Sequence, residues 1–426
     1  MYEKLIKAKL EIEELLKNKI IPFWLNNSID NEFGGYITNL DSNGKTFGNF
    51  DKFIVIQSRM LWGFSNLHCF ANKSDKLKME KAARQGFEFI VNNFWDNKHG
   101  GFAWQTNRKG EVLDYGKLVY GQSFAIYALS EYYLCFNDST ALEYAEKTFD
   151  LLQIYAADIS NGGYFENLEA NFEVSKGGVY AGDRKSLDIH MHLMEAFTTL
   201  YKASKKEVHK RKLLEVVDLI MTKMVNNDIG YGYNQFNSKF ERIPAINIYR
   251  TWNFERETNE IIEEPIDSTS YGHNVELTWL LDEALKALNL STDKYKDTKI
   301  NLLDYALKYG YDYEYGGIYR DGTTEGEVLV KDKEWWKNFE ILIGFINAYS
   351  LYGKKEYVQA FLQSWDFVKN NFIHENFGES YQLLDRYGNK IIDNMGNDWK
   401  GIYHTGRALF ESVNRINSIE KNQLID

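Results

Sequence analysis

Gly100-Gly101-Phe102, the turn Asn107-Arg108-Lys109-Gly110 and the apolar run from Tyr120 to Phe136 follow one another in a succession that the chain uses again and again. A glycine-led aromatic segment leads to a polar turn, and the turn leads to a helix. The opening returns as Gly34-Gly35-Tyr36, Gly162-Gly163-Tyr164, Gly230-Tyr231-Gly232-Tyr233, Gly316-Gly317-Ile318-Tyr319 and Phe377-Gly378 through Tyr381. A self-similarity every roughly 60 to 90 residues has to be read before any single element. The turns Asp41-Ser42-Asn43-Gly44 and Asp385-Arg386-Tyr387-Gly388 carry the residues that hairpins need.

Between these hairpins, apolar residues recur three and four apart, the spacing of one buried helix face. Helices are expected over 5–20, 57–70, 81–94, 120–136, 141–155, 187–203, 210–225, 272–288, 300–309, 335–352, 356–372 and 403–416. With only three prolines in the chain, few of them are interrupted. Twelve helices joined by short connections, the last pairing with the first, make an all-α (α/α)6 barrel, and short connections favour antiparallel neighbours. The helix after each hairpin is then the inner one, and its N-terminal end faces the mouth where the hairpins lie. No linker marks a boundary, so residues 1–426 read as one catalytic domain.

The net charge of −11 argues against nucleic acid and against an anionic membrane surface. Hydrophobic residues make up 44%, enough for a large core, and no run is long and apolar enough to span a bilayer. Aromatic residues make up 15%, a supply of stacking surfaces for sugars as well as of core filling. Cys69 and Cys135 fall on apolar helical stretches and read as reduced core thiols. Together with the charged start Met1-Tyr2-Glu3-Lys4-Leu5-Ile6-Lys7, they point to a cytoplasmic protein, monomer or homodimer.

The openings of the expected inner helices gather chemistry. They carry Gln57-Ser58-Arg59, Tyr120-Gly121-Gln122, Asp188 through Glu195 with His190 and His192, His273 with Glu276, Trp336 with Glu340, and Trp399 followed by His404 and Arg407. Four of the eight histidines sit there. Helical spacing puts Asp188 with His192, Trp336 with Glu340, His273 with Glu276, and His404 with Arg407 on shared faces. His190 and His192 are two apart and point to different sides. A metal site is not expected, because neither His-x-His on a helix nor any HExxH or Cys-pair spacing supports one.

Two imidazoles on opposite walls of a cavity can take a proton from one face of a carbon and return it to the other. That suits proton abstraction beside a carbonyl, through an enediolate. Arg59 can stabilise the developing oxyanion. Trp336 and Trp399 can stack on a sugar, with Tyr120 beside them, while Glu276 and Glu340 bond hydroxyls or orient the imidazoles. Paired carboxylates on this fold would also suit a glycosidase, but that chemistry gives no reason for the histidines.

At these residues the chain resembles the N-acylglucosamine 2-epimerase superfamily, most of all its cellobiose 2-epimerase and mannose 2-epimerase branches. The resemblance runs from Ile21-Pro22-Phe23-Trp24 to Arg407, through Gln57-Ser58-Arg59, His190-Met191-His192-Leu193-Met194-Glu195, Gly272-His273 with Glu276, Trp335-Trp336 with Glu340, and Trp399-Lys400 with His404 and Arg407. It implies an (α/α)6 barrel that interconverts sugars differing at C2, with no cofactor and no metal. It implies His273 and His404 as the acid/base pair, Arg59 as the enediolate's partner and His192 as a third essential histidine. Trp336, Glu340, Trp399 and Glu276 match sugar-contacting or imidazole-orienting positions. Asp188, Tyr120 and Arg407 complete the expected sugar-binding set. Departures at Asp188, Asn274, Leu277-Thr278, Phe339 and Gly401-Ile402 leave the acid/base pair in place. They give a free hexose, glucose or mannose, at least equal standing with a cellobiose-type disaccharide. An aldose–ketose isomerase and a non-catalytic sugar-binding protein stay open as alternatives.

Overall fold

A computed structural model describes residues 1–178, 181–244 and 267–423. Its helices are α1 (Tyr2–Leu15), α2 (Ile21–Asn27), α3 (Ile54–Asn66), α4 (Lys73–Phe89), α5 (Val119–Phe136), α6 (Ser139–Leu151), α7 (Leu187–Ser204), α8 (Glu207–Leu219), α9 (Tyr271–Ala287), α10 (Lys296–Tyr305), α11 (Trp335–Tyr352), α12 (Lys355–Phe367) and α13 (Ile402–Gln423). A wide helical turn over Leu16–Ile20 carries α1 into α2 without a break, so the two act as one of twelve barrel helices. Helices α3, α5, α7, α9, α11 and α13 pack side by side in that order, and α13 closes on α3. Helices α4, α6, α8, α10, α12 and α1 lie outside them, each against its inner neighbour. This is the expected (α/α)6 barrel.

The sequence explains which ring each helix joins. Inner helices such as α5 and α11 are apolar nearly all round and buried along most of their length. Outer helices such as α6 and α12 are apolar on one face only. Each outer helix ends in the same device, a five-residue i→i+5 turn at Leu16–Ile20, Ile90–Phe94, Leu152–Ala156, Ile220–Met224, Ala306–Gly310 and Val368–Phe372. The outer helices expected from periodicity run on through these turns, because the wide turn keeps the apolar spacing going beyond the α-helix proper. Elsewhere the bounds differ too, α4 beginning at Lys73 rather than Lys81 and α13 running to Gln423 rather than Ile416.

After each wide turn comes a tight hairpin whose paired residues are seven apart in all six copies: Ile29 with Tyr36, Trp95 with Phe102, Ala157 with Tyr164, Val225 with Gly232, Tyr311 with Ile318, and Ile373 with Ser380. Each hairpin opens on a glycine of positive φ, and in four of the six copies a second left-handed glycine follows it. Gly35, Gly101 and Gly163 have φ of 64°, 70° and 72°, the left-handed region. A Cβ on Gly35 would lie 2.7 Å from Gln57 Oε1, and one on Gly163 would lie 2.8 Å from His190 Nε2.

Those two contacts identify a clamp. Gln57, Gln122, His190, Asn274 and Asn338 each accept a hydrogen bond from the backbone N–H of the third hairpin residue, at 2.9, 2.9, 3.0, 2.9 and 2.9 Å. In the sixth copy the clamp is indirect: Thr405 donates to Glu379 Oε1, which accepts from the Ser380 N–H. Five residues before each clamp stand Lys52, Lys117, Lys185, Thr269, Lys333 and Lys400. The five lysines are buried and paired with Asp30, Asp96, Asp158, Asp312 and Glu379 at 2.7–3.2 Å. Burial alone would raise the carboxyl of Asp96, but Lys117 and the N–H groups of Lys98 and His99 hold it at about 2. Breaking such a pair from one side leaves a buried unpaired charge, which costs roughly 3–5 kcal/mol. Lys117→Met should therefore lower the free energy of unfolding by that order, read as a lower denaturant midpoint, and Lys117→Met with Asp96→Leu should recover much of it. An unchanged midpoint in the single variant would show that the pair carries no stability.

Two expectations need correction. Cys69 and Cys135 are both exposed rather than buried in the core. They sit at the C-terminal ends of their apolar runs, where α3 and α5 emerge at the closed end of the barrel. Among the described residues no helix is long and apolar enough to cross a membrane, as expected.

Candidate active site

The clamp decides where the chemistry points. On a helix, residues two apart lie on nearly opposite faces. If the clamp faces a hairpin, the residue two beyond it faces the barrel axis. Those six residues are Arg59, Phe124, His192, Glu276, Glu340 and Arg407. Their side chains converge. The Arg59 guanidinium lies 4.5 Å from the centroid of the Phe124 ring, and Phe124 lies 4.9 Å from the His192 ring. Arg407 Nη2 donates to Oε1 of both Glu276 and Glu340 at 2.6 Å. In two of the six helices the residue just before the clamp also lines this space: His273 and His404.

Above this layer is a cavity of about 420 Å³, counted to its open mouth, lined by Arg59, Tyr120, His192, His273, Glu276, Glu334, Trp335, Trp336, Trp399 and His404. Eight of the eleven expected site residues are in that lining. Trp336 touches both mouth histidines, its ring 4.6 Å from His273 and 5.7 Å from His404. Arg59 is fixed by Nη1 donating to the Trp399 carbonyl at 2.7 Å and Nη2 donating to Tyr120 Oη at 2.9 Å. Trp399 leans on Tyr120 and Trp104 at 6.3 and 6.0 Å, an aromatic rim.

The three histidines are in different electrostatic states. Burial pushes His273 down to about 4, and Lys337 adds to this, although Asp188 lies 3.5 Å from its Nε2. Burial also holds His404 well below the ordinary range, reinforced by Arg59 and Arg407. Both belong to the first turn of their helices, where the positive end of the helix dipole disfavours imidazolium. His192 goes the other way: burial would lower it, but bonds to Asp188 and Glu195 outweigh that and raise it to about 9. His404 Nδ1 meets Glu340 Oε1 at 2.8 Å. Burial, with Glu276 and Glu195 nearby, pushes the Glu340 carboxyl up to about 8 against the pull of Arg407.

Two expected sugar contacts, Arg407 and Glu340, lie behind the wall instead, and a third, Asp188, is part-exposed beside the lining. Arg407 is 1% exposed and its guanidinium is taken up by Glu195, Tyr403, Glu276 and Glu340. Glu340 is fully buried under His404, and Asp188 sits between His192 and His273. Glu276, expected beside His273, instead pairs with Arg407. Glu276, Glu340 and His404 offer ligand atoms within 4.8 Å of one another, a spacing a cation would accept. The Arg407 guanidinium already supplies the positive charge between those carboxylates. His190, one of the four aligned histidines, is a clamp: buried and pushed down to about 4, it donates from Nδ1 to the Ser186 carbonyl and accepts at Nε2. The sequence reading missed Trp335 and Glu334 in the lining and gave no part to Glu195, which accepts from Tyr403 at 2.6 Å and meets His192 Nδ1 at 2.9 Å. A signal for Glu195 was present, since it stands three residues after His192 as Glu276 does after His273.

Known proteins bear on this geometry. The family profile for N-acylglucosamine 2-epimerase (GlcNAc 2-epimerase) matches residues 35–408. A cellobiose 2-epimerase of Dictyoglomus turgidum is 30% identical over 415 residues, 96% of this chain and 98% of that one. A D-mannose isomerase of Marinomonas mediterranea is 23% identical over 92% of this chain and 94% of its own. The structure of a cellobiose 2-epimerase from Bacillus thermoamylovorans superposes with a TM-score of 0.84 at 26% identity, covering 96% of this chain and 99% of that one.

Proposed function

Because the chain belongs to the N-acylglucosamine 2-epimerase family, a family of carbohydrate epimerases and isomerases, we propose that it inverts C2 of an aldose, interconverting glucose- and mannose-configured sugars. The observation that carries this reading is that His273 and His404, from different helices, line one cavity and both pack on the Trp336 ring. After the pyranose opens, one of these histidines takes the proton from C2. The electron pair moves into the C1–C2 bond, and charge collects on the C1 oxygen. Arg59 and the His192 imidazolium neutralise that oxyanion, a contribution of several kcal/mol in a water-poor site. The other histidine protonates C2 from the opposite face, the C1 carbonyl re-forms, and the ring closes.

The proton states fit these roles. His273 is neutral at pH 7 and can accept. His404 is also depressed, but its partner Glu340 still holds a proton at neutral pH. The His404–Glu340 pair therefore carries one proton, which it can pass to the substrate from Nε2 while Nδ1 draws on Glu340. Two limbs follow for the pH profile. Activity should rise as His273 loses its proton near pH 4, and fall as Glu340 and then His192 lose theirs between about 8 and 9. A kcat/KM profile with its acid limb at the ordinary histidine value near 6.5 would contradict the assignment.

The sugar is a hexose, glucose or mannose, or the reducing end of a cellobiose-type disaccharide. Incubation with mannose, glucose, cellobiose and mannobiose, with every product identified, decides among them. In heavy water the product must carry deuterium at C2; turnover with the C2 hydrogen fully retained would exclude this mechanism. The relation to a D-mannose isomerase supports a second reading, since the same enediolate protonated at C1 gives a ketose. Mannose converted to fructose rather than glucose would establish it.

A further inference from the structure

His192 lies between two carboxylates, and this arrangement is not needed to explain the clamp or the cavity. Its Nδ1 is 2.9 Å from Glu195 Oε2, and its Nε2 is 3.3 Å from Asp188 Oδ1. A neutral imidazole has one N–H and one acceptor nitrogen. Nδ1 is hydrogen-bonded to Glu195 and Nε2 stands at ion-pair distance from Asp188, so a carboxylate faces the ring from each side and the arrangement favours the cation. The two carboxylates are not equivalent. The charge of Glu195 is shared with Arg407 and with the Tyr403 hydroxyl. Asp188 Oδ1 instead reaches a second imidazole, Nε2 of His273, at 3.5 Å. Asp188 stands one turn before His192 on α7, while His273 comes from the adjacent inner helix α9. One oxygen thus ties two walls of the cavity together.

We propose that Asp188 is a positioning residue that keeps His192 a cation facing the C1 oxygen and fixes the Nε2 edge of His273, so that a single carboxylate sets the state of two imidazoles. This rests on the C2-epimerase reading above. The role is a division of labour. A carboxylate between the two rings is satisfied by the proton on His192, and His273 keeps its lone pair for C2. An amide in the same place would offer the same shape without the charge. The groups facing His192 are Asp188 and Glu195 on its own helix, Tyr120 and Phe124 on α5, His273 and Glu276 on α9, and His404 and Arg407 on α13. Those acting on Asp188 besides the histidines are Tyr120 on α5 and Glu166 on the third hairpin. Asp188 Oδ1 lies 3.3 Å from the Nε2 of His192 and 3.5 Å from that of His273.

The test is Asp188→Asn, read first by nitrogen-15 NMR of the histidines in the resting protein without sugar, with His192 assigned by loss of its signals in His192→Gln. In the wild type both ring nitrogens of His192 should carry hydrogen at pH 7. In Asp188→Asn the titration midpoint of His192 should fall below that of Glu340, so that His192 takes over the alkaline limb of kcat and moves it to lower pH. Loss of kcat should be severalfold at pH 8 and smaller at pH 6, with KM little changed. A neutral His192 in the wild type at pH 7 overturns the proposal, as does an unmoved midpoint in the variant. Should the variant misfold, the wild-type spectrum still decides. The spectroscopic arm is also independent of activity. A shifted midpoint in a protein that epimerises no sugar would sink the catalytic reading and leave the carboxylate's role standing.

Discussion

His404→Asn and His273→Asn should each lower kcat by roughly a thousandfold or more while the folded state survives. Both side chains line the cavity, and neither is a clamp or a member of the buried ion pairs that hold the hairpins. Their contacts are Trp336, Asp188 and Glu340, all in the same site. The two variants should differ in one respect. Each should still exchange the C2 hydrogen of the epimer whose proton the surviving histidine reaches, without inverting it. His404→Asn and His273→Asn should therefore wash deuterium into opposite epimers. Kinetics on mannose and glucose, thermal melts and proton NMR of recovered substrate in heavy water make the check. Wild-type turnover in either variant would remove that histidine from the mechanism.

The largest expected loss of stability is in Arg407→Met. One guanidinium serves Glu195, Glu276 and Glu340, all nine-tenths buried or more. Without it, three carboxyl groups share a space from which water is excluded, and removing one partner of a buried ionic cluster costs roughly 3–5 kcal/mol. The pH dependence has a definite sign. Glu276 and Glu340 are already raised by burial, and loss of the cation raises them further. A carboxyl whose folded value exceeds its unfolded one favours the fold at low pH and loses that contribution as pH climbs through the folded value. The variant should be less unstable at pH 5 than at pH 8, and Arg407→Met with Glu340→Gln should regain part of the loss. Equal denaturant midpoints for wild type and Arg407→Met would mean the cluster is not what secures the barrel floor.

The repeat was legible because each hairpin opens on left-handed backbone, which glycine supplies cheaply, singly at Gly230 and Gly378 and in pairs such as Gly100-Gly101. Ring membership was legible from helices apolar all round, such as α5, against one-sided ones such as α12. The wide turns were not, since an i→i+5 bond leaves no composition mark in runs as different as Leu16–Ile20 and Val368–Phe372. Helical spacing gave the face of each site residue but not its depth. Asp188 and His192 were correctly paired, yet nothing in the spacing said that Arg407 would lie under the floor with Glu340. His190 and His192 were correctly sent to different sides. That His190 does the work of Gln57 became clear only from the hydrogen bond to Tyr164. The exposed cysteines were misread because an apolar run was taken as buried to its last residue.

The clamp and the residue two places beyond it have a consequence for how such a catalyst can change. Anchorage and reactivity sit back to back on every inner helix, Gln57 behind Arg59, His190 behind His192, Asn338 behind Glu340. Swapping an inward group leaves its outward bond untouched, although Arg407 ties Glu276 and Glu340 into one cluster that changes together. Phe124 is the one inward group of the six with no ionisable tip. A new acid, base or cation there would leave both the clamp and that cluster in place.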